Sequence, residues 1–280
     1  MSLEVKQEGI KSYEIQKYTH SGINPFTDQI AIEEPLLISL TYPGVVSEEL
    51  VITMQTPVHS MDLIRGFLYS EGIIDAVSQL IKIEIDGQNA EVTLSQAPFK
   101  MSERGTVSTA ACGMCGKTSL DAISLVRTFD MAECAIQISP SQLLQMNQQM
   151  RQAQTLFEHT GGIHAAALFD AQGQLILLRE DIGRHNAVDK AIGQMLFQGI
   201  DRRDLILFVS GRSGFELVQK ALVSGIGMMV AVGAPSSLAV DYAEDNGMTL
   251  IGFMQKEKFN IYTHPSRVKD TSQKKHDFQE

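Results

Sequence analysis

The stretch from Leu205 to Val232 reads LILFVSGRSGFELVQKALVSGIGMMVAV, and it decides the fold. Leu205–Val209 is five apolar residues in a row, the length of a strand buried on both faces. Ser210-Gly211-Arg212-Ser213-Gly214 breaks it. Phe215–Val223 then repeats apolar residues at helical spacing, and Met228–Val232 is a second buried strand. Strand, glycine-rich turn, helix, strand is the unit of a sheet covered by helices.

The same rhythm extends on both sides. Downstream, Ser237–Asp245 is a predicted helix closed by Gly247, and Thr249–Phe253 and Asn260–Thr263 are predicted strands. Upstream, Ser139-Pro140 opens a helix with proline at its first position. Its predicted buried stripe is Leu143, Met146, Met150, Ala153 and Phe157. Strands follow at Ala165–Phe169 and Leu175–Arg179, and Ala187, Val188, Ala191, Ile192 and Met195 mark a further helix. The expected class is therefore α/β: a mixed sheet with helices on both faces, over residues 139–265.

Residues 31–98 read differently. Leu36–Leu40 and Glu49–Met54 are strands, and Ser60 is expected to cap a helix from Met61 to about Ser70. Ile81–Ile85 and Ala90–Leu94 form a hairpin about Asp86-Gly87-Gln88-Asn89. That order makes a smaller α+β N-terminal domain. Residues 1–30 are expected to be a weakly structured lead-in, 99–138 a mobile linker and 266–280 a polar tail.

The chain has 280 residues and is 44% hydrophobic, enough for a real core. Its net charge of −10 argues against a broad nucleic-acid surface and leaves room for one local basic pocket. No run approaches the roughly 18 apolar residues of a membrane span, and the N-terminus lacks a secretion signal, so a cytoplasmic location is expected. Three cysteines do not make a secreted disulfide framework.

Two of them form Cys112-Gly113-Met114-Cys115-Gly116-Lys117. A thiolate is the reactive species, and a following helix at Asp121–Leu125 and Lys117 favour it. Glycines on either side allow another molecule to approach. Sulfur or redox chemistry, half of a zinc site, and an incidental pair of small residues all fit this spacing. Zinc asks for about four ligands, and there is no second C-x-x-C. Cys134 reads as an inert, buried thiol on a strand edge.

Three further segments carry polar groups at predicted strand ends. Arg184 and His185 stand at the start of a helix, where backbone N–H groups favour an anion; capping with a surface ion pair is the plain alternative. Arg212 lies in a glycine-rich turn able to hold a phosphate, although it is not a P-loop. Phe253-Met254-Gln255-Lys256-Glu257-Lys258 is either a solvated hairpin tip or an anion-contacting loop. His164 follows Gly161-Gly162 and is as easily structural as functional. Ala166 stands where a zinc deaminase would need Glu, and the cysteine pair precedes the histidine, so deaminase chemistry is not expected.

Together these segments resemble the FdhD/NarQ family of formate dehydrogenase accessory sulfurtransferases. The resemblance rests on Glu34-Pro35-Leu36, Gly66-Phe67-Leu68, Glu71-Gly72-Ile73, the Cys112–Gly116 loop, Thr160-Gly161-Gly162 with His164-Ala165-Ala166, Ser210-Gly211-Arg212, Thr249–Phe253, and above all EDIGRHNAVDK at 180–190. It covers roughly residues 30–265. It implies a cytidine-deaminase-like sheet and usually a homodimer. It implies persulfide sulfur accepted from an IscS-type cysteine desulfurase and passed to Mo-bis(molybdopterin guanine dinucleotide), as cargo, for the formate dehydrogenase apoprotein. By motif position Cys112 bears the persulfide and Cys115 is its partner, with no metal ligand implied. Phe253–Lys258 matches the family's cofactor-binding stretch, with Gln255 and Lys258 where arginine is usual; lysine keeps the charge and loses the bidentate fork. Arg184, His185 and Arg212 are expected to complete that site. The alternative is a cofactor-binding chaperone of formate dehydrogenase that transfers no sulfur.

Overall fold

The computed structural model describes residues 8–98, 129, 131 and 134–269. Cys112 and Cys115 lie outside the described residues.

The stretch that decides the fold forms the middle of a six-stranded mixed sheet. Strands β9 (Ile206–Val209), β10 (Met228–Ala231) and β11 (Thr249–Gly252) run parallel, with Ile206 beside Met228 and Val230 beside Ile251. β7 (His164–Phe169) and β8 (Leu175–Asp181) add an antiparallel ribbon at one edge, and β12 (Asn260–Ile261) closes the other. The order is β12-β11-β10-β9-β7-β8. Successive side chains point to opposite faces. Ile206, Phe208, Met228, Val230 and Ile251 pack with Leu143, Met146 and Met150 of α2 (Pro140–Ala153). Leu207, Val209, Met229, Ala231 and Leu250 join a second cluster with α4 (Arg184–Gln198), α5 (Phe215–Val223) and α6 (Ser237–Asp245). Both faces are covered, which is why these strands are unbroken apolar runs.

The α2 helix starts as the sequence predicts. Ser139 Oγ accepts from Gln142 N (3.3 Å), and Gln142 Oε1 accepts from Ser139 N (2.9 Å). Its stripe ends sooner than predicted. The helix breaks at Gln154, and α3 (Thr155–Thr160) begins, so Leu156 is buried while Phe157 is only half-buried. Cys134 lies in an irregular segment, half-buried, and not on a strand edge.

The N-terminal half forms a four-stranded sheet, β4-β3-β6-β5, from β3 (Glu34–Tyr42), β4 (Val45–Gln55), β5 (Leu80–Asp86) and β6 (Asn89–Leu94). Helix α1 (Ser60–Ser70) follows β4; its N-cap is His59, in the left-handed region at φ 58°, and not Ser60. Leu36, Ile38, Leu40, Val92 and Leu94 share one buried cluster with Val188, Ile192 and Leu207. The seam is the crossing of α1 over α4. A Cβ on Gly66 would lie 1.7 Å from Asp189 O, and one on Gly193 would lie 1.9 Å from Asp62 O. Only glycine permits main chains this close.

Residues 10–31 correct the expected lead-in. β1 (Ile10–Thr19) and β2 (Gly22–Ala31) pair along their whole length as a separate hairpin. Most of its side chains on both faces are exposed, so the sequence shows no apolar alternation to reveal it. Among the described residues no helix is long and apolar enough to cross a membrane.

Candidate functional site

The polar segments singled out in the sequence gather at one edge of the six-stranded sheet. Three turns there are chained by main-chain bonds. The turn after β9 meets β7 and the turn after β10: Ser210 N donates to Ala165 O (3.0 Å), and Gly233 N to Gly211 O (2.9 Å). The segment after β11 continues the series, with Phe253 N donating to Gly233 O (3.1 Å). α4 and α5 both begin at this edge, so their free N–H groups add positive potential.

Beside these turns lies a cleft of about 1120 Å³. One wall is α2, with Leu144, Gln148, Arg151 and Gln152; the floor includes Gly161, Gly162, His164 and Ser210. Lys256 also lines the cleft. His164 lies against Gly211, where a Cβ would sit 3.4 Å from Nδ1. Burial, then the nearby Arg184 guanidinium, hold the His164 pKa below its ordinary value. The imidazole is therefore neutral at pH 7 and available as a hydrogen-bonding group.

The predicted residues divide. Lys256 lines the cleft, and Arg184 adjoins His164 and Gly211. Arg212 is exposed on the turn after β9. Arg151, Arg184, Arg212 and Lys256 have no carboxylate partner among the described residues. His185 is already engaged: its Nε2 lies 2.9 Å from Glu216 Oε2 in the first turn of α5, and it is buried. Met254 is 1% exposed and belongs to the core. Phe253 is half-exposed and left-handed at φ 51°, a conformation uncommon for a bulky residue. Gln255, Glu257 and Lys258 are exposed, with Gln255 O accepting from Asn147 Nδ2 of α2 (3.2 Å).

Most of the 180–190 block faces away from the cleft. Glu180 accepts from Leu156 N and Phe157 N (both 2.9 Å), capping α3. Asp181 Oδ2 meets Lys190 Nζ at 2.5 Å, both fully buried, and accepts from Thr56 N (3.1 Å). Asn186 Nδ2 donates to Met54 O (2.7 Å). Asp189 accepts from Lys220 Nζ (2.9 Å) and Ser70 Oγ (2.7 Å). These bonds tie α4 to β4, α1 and α5; of the block, Arg184 is the side chain at the cleft edge.

The α2 wall was not singled out in the sequence. Its signal was present: Gln148, Arg151 and Gln152 are polar positions on one face of an amphipathic helix whose other face is core.

The chain matches the FdhD/NarQ family model over residues 31–269. It is 44% identical to the sulfur carrier protein FdhD of Thermoplasma volcanium, over 86% of this chain and 89% of that one. It is 40% identical to that of Nocardia farcinica, over 92% and 94%. The crystal structure of a candidate formate dehydrogenase accessory protein from Desulfotalea psychrophila superposes with a TM-score of 0.72 at 22% identity, covering 93% of this chain and 99% of that one, which shows a shared fold. Family model, relatives and fold agree, and the chain belongs to the FdhD/NarQ family.

Proposed function

We propose that this protein is a sulfur carrier that serves formate dehydrogenase. Cys112 thiolate attacks the outer sulfur of a persulfide on an IscS-type cysteine desulfurase. The desulfurase S–S bond breaks, its own cysteine leaves as thiolate, and the outer sulfur stays on Cys112 as a new persulfide. No net oxidation occurs. For delivery to Mo-bis(molybdopterin guanine dinucleotide), held as cargo at the cleft, Cys115 thiolate attacks the inner sulfur of the Cys112 persulfide; the persulfide S–S bond breaks, a Cys112–Cys115 disulfide forms, and the outer sulfur leaves as sulfide for the cargo. The protein works in the cytoplasm as a homodimer, and its six-stranded sheet is of the cytidine-deaminase-like kind.

The observation that carries this reading is the cleft edge. Arg151 and Lys256 line the cleft, and Arg184 and Arg212 stand on the adjoining turns by Gly211 and Gly233; none of the four has a carboxylate partner among the described residues, and two helices begin at this edge, in a protein of net charge −10. Such a site suits phosphates. Its volume exceeds the roughly 300–1,000 Å³ of ordinary small-molecule pockets, as a dinucleotide-sized cargo requires.

The test is to incubate the protein with a cysteine desulfurase and cysteine, then measure peptide masses. One added sulfur on Cys112 is expected. No added sulfur on either Cys112 or Cys115 rejects the carrier role. Cys112→Ala is expected to abolish formate dehydrogenase maturation, which a cofactor chaperone without sulfur transfer would still support.

A further inference from the structure

The α2 wall of the cleft holds amides that the fold does not use. Three other amides of this helix are spoken for, and Gln145 is exposed. Gln142 closes the cap, Asn147 ties the segment after β11, and Gln149 bonds Gly173 O (2.9 Å) and Leu175 N (3.3 Å). Gln148 and Gln152, one turn apart, line the cleft and make no hydrogen bond among the described residues. Gln154 lines it too, at the break between α2 and α3. Gln154 is only 5% exposed, and its Nε2 is buried with no acceptor. Leaving such a donor unpaired costs about 1–3 kcal/mol. A buried polar group without a partner calls for an explanation, and a ligand atom is one.

Among the described residues no Asp or Glu lines the cleft, and Leu144, Phe157 and Ile163 supply apolar contact beside the amides. An amide presents a donor and an acceptor side by side, the complement of a ring N–H beside a ring C=O. It adds no charge and so does not select phosphate. We propose that Gln148, Gln152 and Gln154 form a neutral subsite for the lactam edge of a flat bicyclic heterocycle, beside Arg151 on the same wall, whose charge serves phosphate. This rests on the proposed function. The cargo named there has two such rings, a purine and a pterin, with the same edge.

The test uses the full chain and four probes: guanosine diphosphate, guanosine, 6-hydroxymethylpterin and pyrophosphate. Gln148 and Gln152 are exposed and make no hydrogen bond among the described residues, so the double variant Gln148→Ala/Gln152→Ala is expected to keep the fold. It is expected to bind guanosine or the pterin about tenfold more weakly, the equivalent of one hydrogen bond, with pyrophosphate binding unchanged. The ring that weakens identifies the occupant. If guanosine diphosphate binds and the variant holds both rings as the parent does, the amide subsite is wrong while the proposed function stands. If the parent binds neither guanosine diphosphate nor either ring, both fall. Gln154→Leu reads the buried amide alone. Weaker ring binding with a melting temperature no lower than the parent's is expected. A lowered melting temperature with unchanged ring binding makes Gln154 structural and removes it from the subsite.

Discussion

The α1–α4 seam and the cleft edge share one segment of sequence and treat charge in opposite ways. At the seam, Asp181, Lys190, Asp189 and Lys220 are buried, and each has an opposite charge within 3 Å. At the cleft edge, Arg184 and Arg212 have no such partner among the described residues. Asp181 and Arg184 are three residues apart. Polar density in a motif therefore does not separate a joint from a binding site; the partners of each side chain do. Charges satisfied within the fold serve its assembly, and charges left open are available to a ligand.

The comparison breaks most decisively at the glycine crossing. In an exposed helix, Gly66→Ala would add about 1 kcal/mol of stability through helix propensity. Here the new methyl meets Asp189 O, so the helices must part, and a loss of about 4 kcal/mol or more is expected in urea unfolding. A neutral or stabilising result would mean that the seam is looser than described. Next in size is Lys190→Met, which leaves Asp181 buried and uncompensated. A loss of about 3–5 kcal/mol is expected, read from the same unfolding midpoint. At the cleft edge the order reverses. Arg184→Ala should leave stability within about 0.5 kcal/mol, because no ion pair among the described residues is lost. It should weaken pyrophosphate binding several-fold, and added salt should shrink the difference. Equal loss of stability and binding would erase the distinction between the two regions.

The smallest expected effect is on pH dependence. The His164 pKa is lower in the folded protein than its ordinary value of 6.5, so the unfolded chain takes up the proton first. The stability tied to this group is complete above pH 6.5 and drains as pH falls through the folded pKa. His164→Gln should flatten the stability profile in that acidic window, and an unchanged slope would place the cause elsewhere.

Sheet and helices were largely legible in the sequence. Phe215–Val223 and Ser237–Asp245 have the predicted bounds, because each carries its own apolar stripe and stop signal. The hairpin of residues 10–31 was not, because a ribbon exposed on both faces writes no burial pattern into its residues. At the site, Arg184, Arg212 and Lys256 could be found as cations at strand ends. His185 and Met254 share the same local setting, yet Glu216 and the core claim them; those partners come from other elements. The amides of α2 were missed since a polar helix face reads as solvated until a facing wall is known.

The three turns at the sheet edge have a bearing on protein engineering. Each is bonded to its neighbour through main-chain atoms: Ser210 to Ala165, Gly233 to Gly211, and Phe253 to Gly233. Insertion of one residue into any of them would throw the others out of alignment. Retargeting this protein by loop grafting would therefore have to exchange all three as a set, whereas side-chain swaps at Arg212 or Lys256 leave that scaffold whole.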